Sequence, residues 1–158
     1  MYYTFKDTPA GRLLLLEDHE QFHGIFWEAY KRTPVVRDDW IEDSSRFKLL
    51  LTQIDEYFAG NRREFTVPTH VQGTAFQKDV WKEIAKIPFG GSSSYQKIAK
   101  SIGRPKAVRA VGTAVGSNPL SIIVPCHRVL TSTGSLGGYA GGLDAKKVLL
   151  KIEKIAYK

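Results

Sequence analysis

A largely apolar run, Leu120–Val124, leads directly into Pro125 and then into Cys126, the only cysteine of the 158 residues. A short run rich in β-branched residues predicts a buried β-strand, and the proline is expected to end it. We therefore expect the thiol to lie where a buried strand stops and a loop begins. This constrains the fold, because other elements must cover the strand while Cys126 stays next to the loop.

A lone cysteine has two interpretations. It is either an inert, buried packing residue or a reactive thiol. His127 and Arg128 follow Cys126 directly, and positive charge favours the thiolate, which is the reactive form of sulfur. Residue type and neighbouring charge leave both interpretations open.

One cysteine cannot form an internal disulfide, which favours a reducing compartment, and we expect a cytoplasmic protein. No apolar run approaches the roughly 20 residues of a membrane span. The first residues, Met1–Asp7, lack a charged leader before a hydrophobic stretch, so we expect no signal peptide. A chain of this length can bury one good core or two small ones.

The charge changes sign near residue 70. Residues 1–70 carry 9 Lys and Arg against 12 Asp and Glu, whereas residues 71–158 carry 14 against 4, so the net charges are −3 and +10. A basic half favours a polyanionic partner, with nucleic acid the first candidate. The alternative is that the basic side chains are ordinary solvated surface without a partner. We predict two domains, an N-terminal α/β support domain at 1–70 and a C-terminal functional domain at 71–158.

Local patterns predict an α/β (α+β) fold. The first half is expected to hold a small antiparallel sheet followed by a helix and a fourth short strand, in the order Tyr2–Asp7, Arg12–Asp18, His23–Glu28, Ser44–Phe58 and Phe65–Val67. The second half is expected to be mostly helical, apart from the short strand at Leu120–Val124. Its helix starts are predicted at the capping box Thr74–Gln77, at Ser94, at Pro105 and at Asp144.

Two short helices joined by Gly103–Pro105 suggest a helix-turn-helix. The second helix contains Lys106–Gly112, which is mostly small residues around one protruding arginine, Arg109. Small residues allow close approach either to a ligand surface or to another helix of the core, and the pattern does not separate the two.

A nucleophilic thiol needs a base, and the base needs a group that orients it. His127 is adjacent to Cys126, but neighbouring side chains on an extended strand point to opposite faces, so a water could bridge them. Glu153 lies near the edge of the apolar stripe of the last helix. It could turn inward and hold a histidine.

At this point the chain resembles the O6-alkylguanine-DNA alkyltransferases, also called methylated-DNA–protein-cysteine methyltransferases. The resemblance is ordered from about Thr74 to Glu153 and is weaker in the first 70 residues. The matching segments are Ser94–Gln96, Arg104–Gly112, Gly116–Pro119, Pro125–Val129, Gly138–Gly142 and Leu149–Glu153.

The resemblance implies a set of site residues. Cys126 would accept the alkyl group, His127 would act as the base through a water, and Glu153 would orient His127. Asn118 would hold the turn, and Tyr95 would help to rotate the nucleotide and bind the guanine. The other implied residues are Arg109, Lys106 and Ala107 for DNA, with Arg109 filling the space of the flipped base, and Tyr139, Ala140 and Val129 for the substrate.

The resemblance also implies the partner and the reaction. The partner would be double-stranded DNA containing O6-alkylguanine, with O4-alkylthymine as a second candidate, bound through its minor groove by a monomer. No cofactor would be needed because the alkylated base is itself the donor. Some relatives hold a structural zinc near the N-terminus, but His19, His23 and His70 without a cysteine are too few for a closed site.

Two other functions use the same features. A non-catalytic DNA binder would need the helix-turn-helix and not the thiol. A cysteine hydrolase would use Cys126 and His127 for many turnovers. The sequence argues against a zinc deaminase, because that chemistry needs a second cysteine shortly after the Pro-Cys pair. Ser121 stands where some relatives have proline, and with Val115 it leaves the preferred alkyl size open.

Overall fold

The first half of the chain is built around a four-stranded sheet. In the computed structural model, which describes all 158 residues, the strands are β1 (Tyr2–Thr8), β2 (Gly11–Asp18), β3 (Gln21–Trp27) and β4 (Ile41–Glu42). Their order is β3-β2-β1-β4, with β4 parallel to β1 and the other pairs antiparallel. All four leucines of Leu13–Leu16 are buried, so β2 is covered on both faces.

The helix that follows packs against this sheet. A short 3-10 turn, Ser44–Phe47, leads into α1 (Lys48–Phe58), whose buried face includes Leu50, Ile54 and Tyr57. The strand predicted at Phe65–Val67 is wrong. That segment has no ladder partner, and the buried Gln53 side chain holds it instead, through two 2.9 Å hydrogen bonds to Thr66.

Four helices and a two-residue strand pair form the second half. They are α2 (Ala75–Ala85), β5 (Ser93–Ser94), α3 (Tyr95–Ser101), α4 (Val108–Gly116), β6 (Val129–Leu130) and α5 (Leu143–Ile152). The capping box is confirmed. The Gln77 amide donates to the Thr74 hydroxyl at 3.1 Å, and the Thr74 amide donates to the Gln77 side chain at 2.9 Å. The fold class is confirmed as well.

Two helix starts differ from expectation. Helix α4 begins at Val108 rather than at Pro105, because Arg104–Ala107 forms a turn closed by the Ala107 amide on the Arg104 carbonyl. Helix α5 begins after Gly142, whose φ of 87° lies in the left-handed region that glycine adopts without steric cost. The side chain of Asp144 makes no cap hydrogen bond. Asp144 lies in the first turn instead, where a negative charge complements the helix dipole.

The predicted strand Leu120–Val124 is also wrong. Ile122 has a φ of 73°, and the Val124 amide bonds back to the Leu120 carbonyl at 2.9 Å, so the segment folds on itself as a compact buried loop. An apolar run shows burial but not conformation. The strand of this region is β6, which follows Cys126 and pairs in parallel with β5.

One continuous core of 24 buried residues spans both halves. Edge strand β3 bonds directly to the buried loop, with the Ile25 amide on the Pro119 carbonyl at 2.8 Å and the Ser121 amide on the Ile25 carbonyl at 3.0 Å. The loop that carries Cys126 therefore rests on the N-terminal sheet. No helix is both long and apolar enough to cross a membrane.

Candidate active site

Cys126 begins a 3-10 turn, Cys126–Arg128, and is 2% exposed. The side chain of Asn118 holds this loop. Its amide nitrogen donates to the Val124 carbonyl at 2.8 Å and to the sulfur of Cys126 at 3.2 Å. Its oxygen accepts from the Leu120 amide at 2.9 Å. Asn118 thus fixes the loop and places an N–H donor against the sulfur.

Glu153, at the end of α5, turns inward and is 3% exposed. One carboxylate oxygen accepts from the Tyr57 hydroxyl at 2.6 Å and is 2.5 Å from His127 Nε2. The other accepts from Arg128 Nε at 2.7 Å and from the Gly90 amide at 3.1 Å. Burial alone would raise its pKa, but the bonds to His127, Arg128 and Tyr57 lower the pKa of Glu153 to about 2.

The protonation of His127 follows from this contact. Because Glu153 is ionised and can only accept, the proton of the imidazole lies on Nε2. Burial lowers the pKa of His127 more than Glu153 raises it, so the ring is neutral. Its Nδ1 is buried and contacts no donor of the protein. His127 therefore presents one basic nitrogen in a fixed tautomer.

The expectation that neighbouring charge favours the thiolate of Cys126 is wrong. Burial raises the pKa of the thiol, and the opposing effects of Asn118 and Lys146 are smaller. Arg128 does not face the sulfur, because its guanidinium donates to Glu153 and to the Ile87 carbonyl. The resting group is a thiol, and it must lose its proton before it can act as a nucleophile.

A buried lysine supports the same region. Lys146 is fully buried, and its ammonium group donates to the carbonyls of Val129 (2.8 Å), Gly138 (3.1 Å) and Leu136. It therefore ties the loop that contains Leu136 and Gly138 to Val129, which directly follows the Cys126–Arg128 turn. Burial lowers the pKa of Lys146 to about 8, so its charge is retained at neutral pH.

A cavity of about 360 Å³ opens onto Cys126. Three residues expected to contact a substrate or its nucleotide, Tyr95, Tyr139 and Ala140, line it. Val129 does not line the cavity and is fully buried in the core. Five further residues complete the lining, Tyr30, Gly112, Val115, Gly116 and Gly138.

Two of the three phenols that line the cavity, those of Tyr95 and Tyr139, are neutral. Burial raises the pKa of Tyr95 and, more strongly, that of Tyr139. The Tyr139 oxygen accepts from the Trp27 indole at 3.1 Å, with the two rings edge to face at 6.0 Å. A neutral phenol keeps an O–H donor, so both residues can donate to a bound group.

The second helix of the helix-turn-helix lines the cavity and also carries exposed basic charge. Gly112 of α4 lines the cavity, and Arg109, three residues earlier on the same face of the helix, is exposed. Lys106, in the preceding turn, is exposed, and Ala107 is half-buried. Three more exposed basic residues lie on or beside α3, Lys97, Lys100 and Arg104.

Several residues of the site carried no signal in the sequence. Tyr57 and Trp27 come from the N-terminal half, and Lys146 lies on a helix with many lysines. None of them stands at a spacing that relates it to Cys126, since long-range folding alone brings them there.

His23 and His70 stack with ring centroids 4.8 Å apart, and no group of three or more metal-ligating side chains occurs.

Comparison with known proteins gives matches over nearly the whole chain. The family model "6-O-methylguanine DNA methyltransferase, ribonuclease-like domain" matches residues 1–71, and "6-O-methylguanine DNA methyltransferase, DNA binding domain" matches residues 75–155. A methylated-DNA–protein-cysteine methyltransferase of Methanosarcina acetivorans is 45% identical over 97% of this chain and 98% of its own. That of Mycobacterium tuberculosis is 48% identical over 98% and 93%.

A crystal structure of Mycobacterium tuberculosis OGT in complex with DNA is similar to this chain. It superposes with a TM-score of 0.91 at 41% identity, covering 98% of this chain and 93% of that one.

The contacts of Glu153 lead to a stability prediction. In the variant E153Q, the buried cation of Arg128 loses its counter-charge, so we expect the free energy of unfolding to fall by about 3 to 5 kcal/mol. Urea denaturation of both proteins measures this difference. The matched control is E83Q, since Glu83 pairs with the exposed Lys86 at 2.7 Å, and its loss should cost less than about 1 kcal/mol. Equal losses in the two variants would contradict the assigned role of Glu153.

Proposed function

The chain belongs to the 6-O-methylguanine DNA methyltransferase family, and on that premise we propose that it repairs DNA by moving an alkyl group from O6 of guanine to its own Cys126. The observation that carries the proposal is the buried array of Cys126, His127 and Glu153, in which Cys126 lies in the wall of a cavity that three tyrosines also line. This array supplies a nucleophile, its base and the group that orients the base.

The chemical step begins with the removal of the Cys126 proton. Nδ1 of His127 accepts that proton through a water, and Glu153 stabilises the imidazolium that results. The thiolate then attacks the alkyl carbon in line with the bond to O6. A carbon–sulfur bond forms, the carbon–oxygen bond breaks, and its electron pair stays with the guanine, which takes up one proton. Donation from the neutral phenol of Tyr95 offsets the charge that develops on the ring.

The reaction ends after one turnover. The product is a thioether, which has no easy leaving group, and no second cysteine exists to resolve it. The protein is therefore consumed stoichiometrically. It acts as a monomer and needs no cofactor, because the alkylated base is itself the donor. We place it in the cytoplasm, where the free thiol stays reduced. O4-alkylthymine would be a second substrate, because its alkyl carbon is also bound to an exocyclic oxygen.

The target base must leave the duplex to reach Cys126. Unstacking costs a few kcal/mol, least for a poorly paired base. Arg109 is exposed on α4, on the helix face that also carries the cavity-lining residues Gly112 and Gly116, so it can fill the space that the base leaves. Lys106 and Ala107 would approach the minor-groove backbone, and Tyr139 with the Ala140 amide would receive the flipped base.

Intact-protein mass spectrometry tests this function against its rivals. We expect a duplex with one O6-methylguanine to add the mass of one methylene to the peptide that contains Cys126, saturating at one equivalent. The control C126A should bind the duplex and gain no mass. Tight binding without a mass change would instead support a non-catalytic DNA binder, and repeated turnover without modification a cysteine hydrolase.

The pH dependence of transfer tests the role of His127. Burial raises the pKa of Cys126 and lowers that of His127, so near neutral pH the thiol is protonated and the imidazole is neutral. The one proton only moves from Cys126 to His127, and the pair exchanges none with the solvent. The transfer rate at saturating duplex should then stay nearly constant from about pH 6.5 to 7.5, below the pKa of Lys146 near 8. In H127Q the thiol must ionise to solvent, and the rate should rise about tenfold per pH unit. Equal slopes would show that His127 is not the base.

The role of Arg109 separates base flipping from chemistry. We expect R109A to slow transfer from duplex DNA roughly 10- to 100-fold, since about 1.4 to 2.8 kcal/mol of the unstacking cost is no longer offset. Transfer from the free base O6-methylguanine, which needs no flipping, should slow much less. The comparison uses single-turnover rates for both substrates. An equal slowing with both substrates would place Arg109 in the chemical step.

A further inference from the structure

Two cavities share a wall beside Cys126. The first is the cavity of about 360 Å³ that opens onto the thiol, and the second is a smaller cavity of about 150 Å³ behind it. Three residues line both, Tyr30, Gly116 and Ala140. Glycine and alanine carry at most a methyl group, so the side chain of Tyr30 is the only bulky group common to both walls.

Tyr30 comes from the N-terminal half and is held at both ends. After β3 ends at Trp27, the Tyr30 amide donates to the Trp27 carbonyl, and the Thr33 amide donates to the Tyr30 carbonyl, both at 3.0 Å. These successive turns fix the backbone. The Tyr30 hydroxyl donates to the Gly116 carbonyl at the end of α4, at 3.2 Å. The ring therefore spans the gap between the N-terminal sheet and the DNA-binding helices.

We propose that Tyr30 is a specificity-determining residue that limits the size of the transferred alkyl group. This rests on the proposed function. The cavity at Cys126 must hold both the guanine and the alkyl group, whose first carbon has to reach the sulfur. A methyl group ends at that carbon, but any larger group extends beyond it and needs further space.

The second cavity offers such space, and Tyr30 lines it. Its remaining lining residues, which the first cavity does not share, are Phe26, Trp27, Arg32, Ser117, Asn118 and Ser121. Truncation of Tyr30 would join the two cavities without touching Cys126, His127 or Glu153. The bonds made and broken are the same for every alkyl group, so only the fit of the group changes.

The test compares two duplexes that are identical except for O6-methylguanine or O6-benzylguanine at one position. Single-turnover rate constants are measured for the unmodified protein and for Tyr30→Ala, Tyr30→Phe and Tyr30→Trp, with thermal unfolding as the check on folding. The ratio of the benzyl rate to the methyl rate is the readout, because it cancels general losses of activity.

We expect Tyr30→Ala to raise the ratio by at least about tenfold, as added space in a pocket does for a larger substrate. Tyr30→Phe keeps the ring, so its ratio should stay within about threefold of the original. Tyr30→Trp enlarges the side chain and should lower the ratio. The control Val35→Ala lies on the same loop at a residue that is 84% exposed, and it should change neither rate.

Two outcomes overturn different conclusions. If Tyr30→Ala and Tyr30→Trp both leave the ratio within about threefold of the original, Tyr30 does not limit alkyl size. If Tyr30→Ala does not fold, the direction of the Tyr30→Trp change decides alone. If the unmodified protein takes no methyl group from duplex DNA, the proposed function itself fails.

Discussion

One buried carboxylate, that of Glu153, joins the parts of the molecule on which the chemistry depends. It accepts hydrogen bonds from α1 through Tyr57, from the loop after α2 through Gly90, and from the active-site turn through His127 and Arg128. A negative charge at the end of a helix opposes the helix dipole, and burial of a carboxylate is costly. Four donors offset both costs and at the same time set the tautomer of His127.

Cys126 shows a balance between protection and reactivity. Its burial favours the neutral thiol, which is a weak nucleophile and a poor target for oxidation. Asn118 and Lys146 act in the opposite direction, and in the proposed mechanism the unpaired Nδ1 of His127 is the base. On that mechanism, the protein carries a single-use nucleophile in an inert form until a substrate occupies the cavity.

The N-terminal half takes part in the site rather than only supporting it. Strand β3 bonds through Ile25 to both ends of the segment Pro119–Ser121, close to the catalytic turn. Trp27, at the end of that strand, orients Tyr139 across the cavity. Tyr30, three residues later, forms part of the cavity wall. The continuous core explains how these contacts stay in register, because the two halves pack as one body.

The sequence by itself determined the local features. Strands β1 to β3, helix α1, the capping box at Thr74 and the helix-turn-helix follow from periodicity and cap chemistry, which depend on neighbouring residues. The ordered motifs from about Thr74 to Glu153, with the single cysteine among them, also indicated the family. The tertiary structure decided what depends on distant contacts. The run Leu120–Val124 forms a loop because Asn118 and β3 take its hydrogen bonds, and the thiol stays neutral because burial outweighs nearby charge. Tyr57, Lys146 and Tyr30 reach the site only through folding, since no spacing along the chain relates them to Cys126.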